Sequence, residues 1–126
     1  MIATTIEQSK HLLELGLSKE TADMSYSEEY FGKDKDGNDE WCWKLNACKF
    51  VDVEGIIPAW SLSALLEVMP KGTELIKMQN DANELYYEVD YMFTGYEDSD
   101  PITAAYEMVC CLLEQGLIKK GGQNAR

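Results

Sequence analysis

Three amphipathic helical segments, separated by two hairpin-like stretches, constrain this chain more than any other feature of its sequence. The last segment is the clearest. Asp100 is a suitable N-cap, and Pro101 fits the first helical position, where no N–H is needed. The apolar residues that follow at helical spacing are Ile102, Ala105, Tyr106, Val109, Leu112 and Leu113. Gly116 and Leu117 then predict the end of the helix.

The two earlier helices carry similar boundary signals. Thr4 and Glu7 fit a capping box for the first, and Gly16 with Leu17 predicts its end. Ser61 is the expected N-cap of the second helix. Its buried face is predicted to hold Leu62, Leu65, Leu66 and Met69, and Pro70 and Gly72 stop it.

Two hairpins are expected between these helices. A polar tip at residues 31–39 separates two strand-like stretches, and residues 80–83 separate two more. The predicted fold class is therefore α+β: an antiparallel sheet of about four strands packed with three helices in the order α-ββ-α-ββ-α. By length, residues 1–126 are expected to form a single domain, with residues 121–126 a frayed tail.

The charge distribution is unusual. Asp and Glu number 23 against 11 Lys and Arg, a net charge of −12. Residues 78–118 contain no Lys or Arg and nine acidic residues: Asp81, Glu84, Glu88, Asp90, Glu97, Asp98, Asp100, Glu107 and Glu114. This balance argues against direct nucleic-acid binding, which needs a basic surface. No apolar run of about 20 residues or secretory signal is visible, so we expect no membrane span and a cytoplasmic location.

Catalytic and metal-binding motifs are not recognisable. His11 is the only histidine, no C-x-x-C is present, and the acidic residues at 34–39 do not fit the register of a calcium loop. The four cysteines are interpreted as free thiols. A Cys–His pair could still form in three dimensions, but the sequence favours a non-enzymatic protein with no cofactor and no metal.

The segment at residues 84–101, ELYYEVDYMFTGYEDSDP, interleaves acidic and aromatic residues. In a strand, Leu85, Tyr87, Val89 and Tyr91 would share the core face, opposite Glu84, Tyr86, Glu88 and Asp90. The second face is either solubilising or a working surface. The candidate partner-binding residues are Glu84, Tyr86, Glu88, Asp90, Tyr96, Glu97 and Asp98.

Three stretches, at residues 5–26, 57–71 and 100–118, resemble a group of short, uncharacterised proteins encoded by phages and mobile elements of gut Bacteroides-type bacteria. The shared motifs are helix and cap signatures, so the resemblance implies origin more than activity. It implies a bacterial host cytoplasm and an accessory role during infection or element transfer, such as binding a host defence nuclease.

Three function hypotheses follow. The first is an acidic binding protein, a monomer or a homodimer, that docks a basic groove of a host or element-encoded protein which handles nucleic acid or acts in defence. Tyr86 and Tyr96 would be its aromatic anchors. The second is a small-ligand-binding protein with Trp41, Trp43 and Trp60 around an apolar pocket. The third is an enzyme of unrecognised type.

Overall fold

The structure is a computed structural model, and it describes residues 2–49 and 53–120. The helices are α1 (Ile6–Glu14), α2 (Leu62–Val68) and α3 (Pro101–Glu114), with a single 3-10 turn at Lys19–Thr21. The strands are β1 (Met24–Lys33), β2 (Asp39–Asn46), β3 (Ile57–Ala59), β4 (Glu74–Gln79), β5 (Leu85–Tyr91) and β6 (Thr94–Asp98). The expected frayed tail at residues 121–126 lies outside the described residues.

The predicted boundaries of α3 are confirmed. Asp100 caps the helix by accepting a hydrogen bond from the backbone N–H of Thr103 (3.2 Å), and Pro101 is its first residue. At the other end, Gly116 and Leu117 donate backbone hydrogen bonds to Leu113 and Leu112 at 3.1 and 2.8 Å. This is the glycine-terminated Schellman geometry that the sequence predicted.

The capping box of α1 lies one residue later than predicted. Thr5 is the N-cap, and its hydroxyl and backbone N–H exchange hydrogen bonds with Gln8. Thr4 is instead fully buried, where its hydroxyl bonds Ser9 (2.8 Å) and accepts from the backbone N–H of Trp60 (3.1 Å). Thr4 therefore ties the chain start to the segment preceding α2, and only Thr5 is left to cap the helix.

The α+β class is confirmed, and the predicted order α-ββ-α-ββ-α is roughly matched, with one further strand after each hairpin; the expected single sheet does not form. Two separate three-stranded antiparallel sheets form, ordered β2-β1-β3 and β4-β5-β6. The first gains a short strand because residues 57–59 pair with the start of β1. The second gains β6 because the chain reverses at Met92–Phe93, a turn without the Asn or Gly residues that normally signal one.

α3 is the centre of the hydrophobic core. It packs against β5, β6, α2 and α1, and eight of its residues are buried. Leu12 of α1, Leu65 of α2 and Val89 of β5 join the same cluster and are fully buried. No helix among the described residues is long and apolar enough to cross a membrane.

Candidate functional site

The second sheet has one covered and one uncovered face. Leu75, Val89 and Tyr96 lie opposite one another on β4, β5 and β6 and pack against the core beneath α3. Because side chains alternate along a strand, the neighbouring residues point to the other side of the sheet. None of the residues of these three strands that point to that side is buried.

We call the uncovered side the acidic face. Strand register places on it Glu74, Ile76, Met78, Tyr86, Glu88, Asp90, Gly95 and Glu97. Two pairs of carboxylates lie directly opposite each other on neighbouring strands: Glu74 with Asp90, and Glu88 with Glu97. Such partners have Cβ atoms about 5 Å apart, so the four carboxylates form a stepped row across three strands.

Like-charge repulsion on the acidic face shows in the pKa of Glu88. The negative charge of Asp90 is the largest cause that raises the pKa of the Glu88 carboxyl above its usual value, and burial, a hydrogen bond between the two carboxyl groups and the charge of Glu97 add to it. Lys33 forms an ion pair with Asp39 and Lys44 forms one with Glu29, and both pairs lie in the first sheet. No lysine or arginine is among the residues of the acidic face.

Gly95 gives the Asp90 carboxylate its position. A Cβ atom built at Gly95 would overlap Oδ1 of Asp90, which lies opposite it on β5. The carboxylate therefore rests over the bare backbone of β6. Substitution at Gly95 would move this side chain rather than the strand, because the clash is with the end of a flexible group.

Five of the seven predicted partner-binding residues lie on the acidic face or at the adjoining end of the sheet. Tyr86, Glu88, Asp90 and Glu97 are together on the acidic face. Glu84 precedes β5 and accepts a hydrogen bond from Asn80. Glu84, Tyr86, Glu97 and Asp98 also line a shallow depression of about 430 Å³ at the end of the sheet.

Tyr96 does not belong to this surface. It lies on the inner face beside Val89, and its hydrogen bond to the Cys111 thiol, together with burial, raises its pKa to about 12. Asp98 likewise pairs with Tyr87 on the inner side, and its carboxylate accepts a hydrogen bond from the backbone N–H of Asp100 (2.9 Å). The alternation of β6 was missed in the sequence because β6 itself was not recognised.

Exposed apolar residues end the hairpin that carries the acidic face. Phe93 is fully exposed and Met92 is 77% exposed, at the turn between β5 and β6. Met92 has a φ of 55°, a left-handed conformation that costs a side-chain-bearing residue energy. Sequence reasoning missed both, together with Glu74. The sequence signal for this turn is the apolar pair Met92-Phe93 followed by Thr94-Gly95.

The aromatic pocket proposed around three tryptophans does not form. Trp60 is fully buried, and its indole N–H donates to the Thr21 hydroxyl (2.9 Å). Trp41 and Trp43 are exposed on the first sheet. A cavity of about 610 Å³ does open beside α2, the 3-10 turn and the segment after α3, and no tryptophan lines it.

A cysteine and the histidine do meet, between α1 and α3. Nδ1 of His11 lies 2.6 Å from the Tyr106 hydroxyl and 3.6 Å from Sγ of Cys110. Burial, however, raises the pKa of the Cys110 thiol to about 11 and that of Tyr106 to about 12. A nucleophilic cysteine needs a lowered pKa, so the contact does not have the features of a nucleophilic Cys–His pair.

Among residues 2–49 and 53–120, no group of three or more His, Cys, Asp or Glu side chains is placed to hold a metal ion. Comparison with models of protein families, with curated proteins and with solved structures finds no match to this chain.

Proposed function

We propose that this protein is a non-enzymatic binding protein whose acidic face docks a basic groove on a nucleic-acid-handling or defence protein of a bacterial host. The observation that carries the proposal is the pairing of Glu74 with Asp90 and of Glu88 with Glu97. Like charges directly opposite each other destabilise a sheet, so a surface with no other use would be expected to mix signs. A basic partner compensates this repulsion on binding.

The stepped row suits a groove built for a phosphate backbone. Glu88 and Asp90 are two residues apart on one strand, about 6.8 Å, and each has a second carboxylate about 5 Å to its side. A groove that binds nucleic acid presents Lys and Arg at comparable intervals, because each DNA strand carries one phosphate per about 3.4 Å of axis. A net charge of −12 further speeds encounter with such a partner.

Apolar contacts would supply the rest of the interface. Tyr86 is half-buried on the acidic face, and Ile76 and Met78 lie beside it on β4. Phe93 projects fully exposed from the tip of the same sheet. Aromatic residues dominate the binding energy of protein interfaces, and a tip of this kind can enter a pocket at the end of a groove.

The test is affinity capture from lysate of a Bacteroides-type bacterium, with duplex DNA as competitor. The immobilised chain should retain a nucleic-acid-handling protein, and DNA should release it by occupying the same groove. Bait carrying Glu88→Lys and Asp90→Lys should lose it, whereas Glu14→Lys with Asp36→Lys should keep it. Capture by both baits, or complexes unaffected by DNA, would contradict the proposal.

The alternative, a small-ligand-binding protein, is favoured by no comparable arrangement. The cavity of about 610 Å³ is lined by both acidic and basic side chains, including Glu20, Glu67, Lys49 and Lys120. The three tryptophans that were expected to line a ligand site are dispersed between the core and the first sheet.

A further inference from the structure

β2 presents an unpaired edge. It is the outer strand of the first sheet, with β1 on one side and no described strand on the other. Exposed edges promote pairing with other chains, and proteins usually protect them with proline, bulges or inward-pointing charges. β2 contains no proline, and the irregularity in the hairpin falls in β1 between Tyr30 and Gly32. The charged residues of β2 are of both signs, Asp39 and Glu40 against Lys44, so a second strand with complementary charges can still be added to this edge.

The sequence of this edge is self-complementary. Residues 40–44 read EWCWK, with two tryptophans around a central cysteine and opposite charges at the two ends. In an antiparallel pair related by a twofold axis perpendicular to the sheet, residues equidistant from the axis face each other. With Cys42 on the axis, Trp41 faces Trp43 of the second copy, and Glu40 faces Lys44 of the second copy.

Other registers lack this match. Residues that face each other across this axis point to the same side of the sheet, so their positions differ by an even number. The axis must therefore pass through a residue and not between two residues. Centring on Trp43 puts Lys44 opposite Cys42 and Glu40 opposite Asn46. Centring on Trp41 puts Glu40 opposite Cys42. Only the register centred on Cys42 sets opposite charges against each other twice.

The two faces of β2 each contribute to such a seam. Trp41 and Trp43 are 58% and 42% exposed, and the Trp41 ring meets Tyr30 edge-on at 5.1 Å. Pairing two copies would bring four indoles together on one face as two neighbouring cross-strand pairs, and aromatic cross-strand pairs stabilise sheets. No described helix covers these rings.

On the other face, Glu40, Cys42 and Lys44 follow one another. Nζ of Lys44 lies 3.8 Å from Oε1 of Glu29, and both side chains are about half exposed, so this ion pair is loose. Glu40 of a second copy would therefore add a carboxylate to a lysine that is not firmly held.

From the open edge, the self-complementary sequence and the exposed indoles, we propose that the chain forms a homodimer by antiparallel pairing of β2 with β2 of a second copy, centred on Cys42. The two first sheets would become one six-stranded sheet. Strand addition alone makes a small interface, and two chains of charge −12 repel, so the dimer should be reversible in the micromolar range. Both acidic faces stay free, since they belong to the second sheet.

Sedimentation velocity over a concentration series, at about 0.15 M salt, tests the pairing. Glu40→Lys and Lys44→Glu should each weaken association roughly tenfold, because each turns two attractive pairs into repulsive ones. The double variant keeps the net charge of −12 and should recover wild-type association. A monomer at all concentrations, or a double variant no better than the singles, would overturn the proposal.

Disulfide trapping tests the register. Oxidised glutathione should join Cys42 to Cys42 of the second copy, taking up two electrons and two thiol protons to give two molecules of reduced glutathione. Residues opposite each other in an antiparallel pair have Cα atoms about 4.5–5.5 Å apart, within disulfide range. Peptide mapping should find this bond, and Cys42→Ser should abolish the covalent dimer. A dimer linked only through Cys48 or Cys111 would contradict the register.

Discussion

Glu88 lies directly opposite Glu97 on the uncovered face of the second sheet, and Asp90 stands two residues along the same strand. The Asp90 and Glu97 carboxylates raise the pKa of the Glu88 carboxyl above its usual value, and Asp90 has the larger effect. Repulsion among these carboxylates should lower the stability of the isolated chain, and a cationic partner should relieve it. Both effects can be measured.

Glu88→Gln should stabilise the protein at pH 7 but not at pH 4. A carboxyl whose pKa is raised on folding binds its proton more tightly in the folded state, so its stabilising effect is present at low pH. That stability is lost as the pH rises above the ordinary value of 4.5 and through the raised pKa. Urea unfolding of both proteins at the two pH values measures the difference.

The matched control for this substitution is Glu14→Gln on the exposed surface of α1. It should leave stability nearly unchanged at both pH values. A Glu88→Gln protein less stable than wild type at pH 7 would show that the Glu88 carboxylate is held by favourable contacts rather than by repulsion.

The turn at Met92 offers a second test. Met92 and Asn83 share the left-handed conformation, with φ of 55° and 64°, but only Asn tolerates it readily. Met92→Asn should therefore raise the free energy of unfolding by about 0.5–1 kcal/mol, and Asn83→Met should lower it by about 1 kcal/mol or more. The two substitutions should therefore change the free energy of unfolding, measured by chemical denaturation, in opposite directions. Changes in the same direction would contradict the assigned turns.

Cys110 should be unreactive despite its contact with His11. With a pKa of about 11, its thiolate fraction at pH 7.5 is roughly a hundredfold or more below that of an ordinary cysteine. Iodoacetamide labelling followed by mass spectrometry should modify exposed Cys48 first and Cys110 only on unfolding. Labelling of Cys110 at a rate like that of Cys48 would instead support a nucleophilic role.

Asp100→Ala should destabilise the fold by about 1 kcal/mol. The carboxylate accepts hydrogen bonds from both the backbone N–H and the hydroxyl of Thr103, and α3 is the helix around which the core is built. Asp81→Ala, in the exposed turn after β4, removes the same group without a cap and should be nearly neutral. Thermal or urea unfolding that cannot distinguish the two variants would argue against the cap.

The helices could be predicted from the sequence because their boundaries are encoded locally. Each boundary signal acts through neighbours within five residues. All four positions were predicted correctly: the N-caps Asp100 and Ser61, and the helix ends at Gly16 and Gly116. The shift from Thr4 to Thr5 at α1 was not predictable, since Thr4 is recruited by Trp60, 56 residues away.

The strand pairs could be predicted only where the sequence between two strands contains recognisable turn residues. Residues 31–39 and 80–83 have turn chemistry, and both hairpins form. Met92–Phe93 has none, so β6 was missed and Tyr96 was assigned to the wrong surface. Tertiary packing, and not local sequence, sets which face of the second sheet α3 covers. This packing leaves the row from Glu74 to Glu97 on the uncovered face.

The affinity of the captured partner for charge-reversed variants tests the central claim most directly. Glu88→Lys with Asp90→Lys should fold at least as stably as wild type, because it relieves repulsion, yet bind about a hundredfold more weakly. Glu14→Lys with Asp36→Lys changes the net charge equally and should bind nearly as wild type does. Isothermal titration at two salt concentrations should give these results, with wild-type affinity falling as salt rises. Equal loss in both variants, or no loss in either, would contradict docking through the acidic face.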